Sequence, residues 1–166
     1  VCSKYDATRI EGSDTFVDEN HDLNFGDERV QIIEIPGHTL GHISFFLPQS
    51  KILFSGDTLF ILGCGRIFEG TYQQMFNSLQ KLKRLPPDTK IFCGHEYTLN
   101  NLEFSRSVCP DLQTAFSSFE MEVRDKLSNT QTSLPNSIKS ELQLNPFLNT
   151  EDLEVFKDRR KKKDQF

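Results

Sequence analysis

A chain of 166 residues with a net charge of −5 is sized for one domain, or one domain with a small appendage, and its charge balance argues against general nucleic-acid binding. Apolar residues at 36% allow a real core, and fifteen Phe with no Trp make it a core of phenyl rings. No stretch approaches the roughly 18 apolar residues of a membrane span and no signal peptide is visible, so a cytoplasmic, membrane-free, monomeric protein is expected, or a mitochondrial one if a targeting segment precedes Val1.

In chain order, residues 1–30 are polar and turn-rich, with weak strands expected over residues 8–10 and 15–17 and a turn at Asn24-Phe25-Gly26-Asp27. Residues 29–35 form the first strong strand. Residues 43–47 and 51–54, separated by Pro48-Gln49-Ser50, form an antiparallel hairpin. A glycine-punctuated loop covers 59–70. Met75, Phe76, Leu79 and Leu82 give residues 73–84 a helical stripe that Pro86-Pro87 stops, and residues 90–93 are the last strong strand. Beyond His95 the pattern is mainly helical. Leu112, Phe116, Phe119, Val123 and Leu127 lie on one helix face with Asp111 as candidate N-cap, and Thr150 opens a further helix with Glu151 and Asp152 in its first turn. The four cysteines, Cys2, Cys64, Cys93 and Cys109, form no C-x-x-C pair and read as reduced thiols.

Three apolar runs end alike. Residues 32–37 lead to His38, residues 52–56 to Asp57 and residues 90–94 to His95, each through a glycine. If the three strands lie side by side, two imidazoles and a carboxylate meet at one sheet edge, a set suited to zinc or a similar divalent ion. A lone histidine in a polar loop is ordinarily satisfied by backbone, and a lone Asp ordinarily caps a turn. Chance rarely repeats one architecture three times, which favours the metal reading. His42 is placed behind the ligands, hydrogen-bonding or packing beneath them.

Gly37-His38-Thr39-Leu40-Gly41-His42, Gly56-Asp57-Thr58-Leu59-Phe60, the loop Gly63-Cys64-Gly65-Arg66-Ile67-Phe68-Glu69-Gly70 and Gly94-His95-Glu96-Tyr97-Thr98 resemble glyoxalase II, the hydroxyacylglutathione hydrolases of the metallo-β-lactamase superfamily. Asn145-Pro146-Phe147-Leu148 and the closing Lys163-Asp164-Gln165-Phe166 extend the resemblance to the last residue. It implies an α+β fold: an αββα sandwich over residues 1–97, N-terminally truncated here, and a helical glutathione-binding domain over 98–166. It implies two divalent ions, zinc first, with iron or manganese as alternatives. His38 would hold one ion, His95 the other, and Asp57 both, acting in catalysis through a hydroxide shared by the two. The substrate would be S-D-lactoylglutathione, cleaved to D-lactate and glutathione in methylglyoxal detoxification. Arg66, Tyr97, Arg160 and Lys163 match positions that hold the glutathione moiety, while Arg159, Lys161 and Lys162 would stay solvated.

Two departures stand out. Phe68 occupies a position where some members have Tyr, which removes one hydroxyl. The family's H-x-H-x-D-H metal motif is missing, since the one histidine before His38 is His21 in Asn20-His21-Asp22. The chain therefore corresponds to the C-terminal two-thirds of a glyoxalase II, with an exposed sheet edge and apolar surface expected. The competing readings are another superfamily hydrolase or a persulfide dioxygenase, which should lack the helical tail, and a metal-poor, non-catalytic protein that binds glutathione conjugates.

Overall fold

In the computed structural model, which describes residues 1–6, 8–130 and 132–166, two short strands, β1 (Cys2–Ser3) and β2 (Phe16–Val17), pair in parallel. Next come β3 (Leu23–Phe25), β4 (Glu28–Glu34), β5 (Ile43–Leu47) and β6 (Ile52–Gly56), then a small separate hairpin of β7 (Leu59–Phe60) and β8 (Gly63–Cys64). Helix α1 (Tyr72–Lys83) precedes β9 (Lys90–Cys93). The remainder is α2 (Thr98–Val108), α3 (Gln113–Thr130), β10 (Asn136–Ser137), α4 (Ile138–Leu144) and α5 (Leu153–Gln165). The α+β class read from the sequence is the class observed.

The central sheet runs in the order β10-β9-β6-β5-β4-β3, antiparallel except for the β6–β9 pair. The three runs that end in chemistry are thus not all neighbours: β5 lies between β4 and β6. Because β5 opposes both, β4 and β6 still point the same way, and the parallel β9 brings the third C-terminal end to the same edge. The β5–β6 turn is held by Glu28, which accepts from the Gln49 and Ser50 amides at 2.7 and 2.8 Å. Of the two facing sheets of a sandwich, the described residues form this one six-stranded sheet.

Along β5 and β6, Phe46 and Leu53 point into the core while their neighbours Phe45 and Phe54 point to the other face, as strand alternation requires. The inner face packs on Met75, Phe76, Leu79 and Leu82 of α1, and the cluster continues through Phe104, Phe116, Phe147 and Phe156 of the helical half. The rings of Phe104 and Phe147 stack at 5.7 Å, so the core is phenyl-rich as composition required. On the outer face Phe25 and Phe54 stand exposed, which is the expected apolar surface. Helix α1 starts at a capping box in which Thr71 and Gln74 satisfy each other's amides.

Several local expectations are corrected. Residues 8–10 form a turn, because the Arg9 and Ile10 amides fold back onto the Asp6 carbonyl. Asp111 does not cap α3; it lies within a 3-10 turn, Pro110–Leu112, that runs straight into the helix, so its backbone is already helical. The last helix is capped by Asp152, whose carboxylate accepts from the Glu154 and Val155 amides, and Thr150 and Glu151 lie before it. Residues 59–70 are not simply a loop, since they contain the β7–β8 hairpin.

Candidate active site

Asp57 is the centre of the sheet edge. It comes after Gly56, whose φ of +53° is costly for any side chain and whose added Cβ would meet His42 Nε2 at 2.6 Å. The Asp57 amide donates to His42 Nε2 at 2.9 Å, so His42 accepts through a neutral ring. Burial, and then the neighbouring His38, hold its pKa below the usual imidazole value. His42 therefore sits directly behind the Asp57 backbone.

The His38 ring donates from Nδ1 to the Arg66 carbonyl at 2.8 Å, because a carbonyl only accepts. That bond fixes the tautomer and leaves the Nε2 lone pair 3.7 Å from Asp57 Oδ2. His95 Nε2 lies 3.5 Å from the other oxygen, Oδ1. Neither separation is a hydrogen bond. Both match the span of about 3.4 Å between two donors that share a tetrahedral ion with bonds of about 2.1 Å. Space for the carboxylate is kept by Gly94, where a Cβ would sit 2.5 Å from Oδ1. Donor type and spacing thus fit one ion on each side of a bridging Asp57. Each position has two protein donors, and among the described residues no three His, Cys, Asp or Glu side chains converge on one point.

A cavity of about 610 Å³ opens beside these groups. His95 stacks on Tyr97 at 5.1 Å, and Phe68 lies 4.9 Å from His38. The cations differ in their freedom. Arg66 is exposed, with Nε 3.4 Å from Asp164. Lys163 is half-buried and donates to the Asn100 side-chain oxygen at 2.6 Å. Arg160 is buried; it donates to the Cys64 carbonyl at 2.7 Å and to Asp164 at 3.1 Å, while its Nε has no partner. Its planar fork is thus already engaged by the loop, and Lys163 and Arg66 are the more open cations. Arg159 donates to the Pro146 carbonyl and to Asn149 rather than standing in solvent; Lys161 is exposed over Tyr72, and Lys162 pairs with Asp158.

Residues missed by sequence reasoning hold this edge in place. Glu69 accepts from the Leu40 amide at 2.9 Å and pairs with Arg9, which fixes the His38–His42 loop and holds its pKa down at about 2. Nothing in the spacing of Glu69 pointed to Leu40. Asn101, Glu141 and Asn145 bind the β7–β8 hairpin, and only Asn145 stood in a segment that drew notice.

Residues 4–95 match the metallo-beta-lactamase superfamily, and residues 96–166 match the hydroxyacylglutathione hydrolase C-terminus. The chain is similar to the hydroxyacylglutathione hydrolase of Brucella ovis, 42% identical over 95% of this chain and 66% of the relative, so it spans just under two thirds of that relative's length. With the Brucella anthropi enzyme the identity is again 42%, over 98% of this chain and 68% of the relative. The crystal structure of ETHE1 from Myxococcus xanthus shares the fold, with a TM-score of 0.63 at 24% identity, covering 91% of this chain and 53% of that one. With both halves matched in order and a relative 42% identical over 98% of this chain, the chain belongs to the hydroxyacylglutathione hydrolase family of the metallo-β-lactamase superfamily.

Proposed function

We propose that this chain carries the thioester-binding and metal-bridging part of a hydrolase that converts S-D-lactoylglutathione to D-lactate and glutathione. The observation that carries the reading is Asp57, whose two oxygens each oppose one imidazole Nε2 beside a cation-lined cavity. Two divalent ions, zinc first and iron or manganese as alternatives, would supply ionised water at neutral pH and polarise the thioester carbonyl. His38 and His95 would present lone pairs and Asp57 would join the two positions. A C–O bond to the acyl carbon forms, the C–S bond breaks, and the glutathione thiolate takes a proton from water. Lys163 and Arg66 would receive glutathione carboxylates, and Tyr97 would flank the tripeptide. The match of residues 96–166 to the hydrolase C-terminus weighs against another superfamily hydrolase or a persulfide dioxygenase. A second reading, binding without hydrolysis, is favoured by the two donors per metal position.

Lys163 gives a test of the ligand class. Burial, and then the neighbouring Arg160, lower its pKa to about 8, so it is charged below that pH and neutral above it. Calorimetry with S-methylglutathione should show affinity that is full at pH 7 and falls about tenfold as pH rises through 8, since a charge-assisted bond contributes about 1.5–3 kcal/mol. The variant Lys163→Met should bind weakly at pH 7 and show a flatter profile. An unchanged pH slope in the variant would remove Lys163 from the binding role.

A further inference from the structure

Every backbone carbonyl at the tip of the β7–β8 hairpin is bound by a side chain from the helical half. Asn145 Nδ2 donates to the Phe60 and Gly63 carbonyls at 3.3 and 3.0 Å. Asn101 Nδ2 donates to the Ile61 carbonyl at 2.9 Å, and Ser105 Oγ to the Leu62 carbonyl at 3.3 Å. The Leu62 amide donates to Glu141 Oε2 at 2.9 Å. These partners come from α2, from α4 and from the residue that ends α4. All four are buried.

The tip is not relaxed. Leu62 has a φ of +54°, a left-handed conformation that disfavours a branched side chain. Such a residue persists only where its surroundings over-determine it. Glu141 is itself set by two further donors, Asn145 Nδ2 at 2.8 Å and Asn136 Nδ2 at 2.6 Å.

The hairpin leads directly into the metal edge. Strand β8 runs into Gly65, whose amide donates to the Thr58 carbonyl at 3.1 Å, one residue beyond Asp57. The next residue, Arg66, offers the carbonyl that fixes the His38 tautomer. On the other side, the Phe60 ring lies 6.1 Å from His95 and 5.4 Å from Tyr97. The tip bonds thus sit a few residues from groups that hold both imidazoles.

We propose that Glu141 and Asn101 are positioning residues: through the strained hairpin they place the Arg66 carbonyl, and so hold His38 as the Nδ1–H tautomer with Nε2 turned to Asp57. This rests on the proposed role of His38 as a metal-facing group. The bland alternative is that these side chains merely satisfy buried backbone groups. That role would lower stability on mutation and leave the His38 ring as it is.

The two are separated by nuclear magnetic resonance on the ¹⁵N-labelled 166-residue chain at alkaline pH. The wild type should show His38 as a single Nδ1–H tautomer and a protected Leu62 amide. In Glu141→Ala, the Leu62 amide should exchange at least about tenfold faster and His38 should become a mixture of tautomers. Glu141→Gln should keep the wild-type pattern. Its oxygen can take the Oε2 place and its amide can donate to a flipped Asn136. If Glu141→Ala does not fold, Asn101→Ala removes one tip bond from the other helix and should give the same paired change. Faster Leu62 exchange with His38 unmoved would overturn the proposal, as would no change in either. Failure of the hydrolase reading would show separately, with these spectra intact, as a chain joined to a segment bearing H-x-H-x-D-H that holds two ions and binds the thioester without cleaving it.

Discussion

Replacing Asp57 with alanine is expected to weaken zinc binding by more than about a hundredfold. Partners that only orient a metal ligand are worth about 10–100-fold in affinity when removed, and Asp57 faces both candidate positions directly. Its oxygens lie 3.7 and 3.5 Å from His38 and His95 Nε2, so one substitution takes a donor from each pair and leaves a single imidazole on either side. The backbone reason for the site stays intact, because the amide that donates to His42 remains. Competition titration with a chromogenic chelator, with circular dichroism to show that the fold is retained, measures the loss. Affinity within a few-fold of wild type would mean that the carboxylate is a turn cap and not a ligand.

The second large effect is on stability. Phe156 is fully buried, packing its ring 5.6 Å from Phe76 of α1 and 6.0 Å from Phe147. It stands four residues before Arg160 and seven before Lys163, so it anchors the face of α5 that carries both cations to the loop and cavity. Phe156→Ala should cost about 3–5 kcal/mol from lost transfer energy and the cavity left behind. Total stabilities are about 5–15 kcal/mol, so the urea midpoint should drop sharply. S-methylglutathione affinity should fall with it, because the Lys163 face is no longer seated. A loss under about 1 kcal/mol would show that α5 is loosely docked.

The strands and the residues at their ends were legible because the runs are short, rich in Ile, Leu and Phe, and each stops at a glycine. The hairpin of β5 and β6 was legible too; the pairing of β4 with β5 was not read, and the parallel neighbour β9 of β6 lies across a crossover that no local pattern gives. Helix α2 escaped notice for a physical reason: it buries Thr98, Asn101 and Ser105 beside Leu102 and Phe104, which blurs the apolar stripe. Those polar residues are buried because Asn101 and Ser105 serve the hairpin and Thr98 bonds to Ser133. The basic run hid a similar feature. Of the five successive cations, Arg160 and Lys163 match glutathione-holding positions by resemblance, yet nothing in the run itself shows that helical geometry turns Arg160 alone of them fully inward against Phe147 and the Cys64 carbonyl. The Gly-His, Gly-Asp and Gly-His ends needed no such context, because their chemistry lies in residue type and their meeting comes from strand direction.

Turnover of S-D-lactoylglutathione in the presence of zinc tests the central claim most directly. The measurement compares the 166-residue chain with the same chain joined to an upstream segment bearing H-x-H-x-D-H, each with and without Asp57→Ala. With two donors per metal position, the chain by itself should turn over little. The joined chain should release D-lactate and glutathione, and Asp57→Ala should abolish that release through kcat. A joined chain that holds two ions and binds the thioester without cleaving it, or one that keeps near-normal kcat without Asp57, would contradict the account.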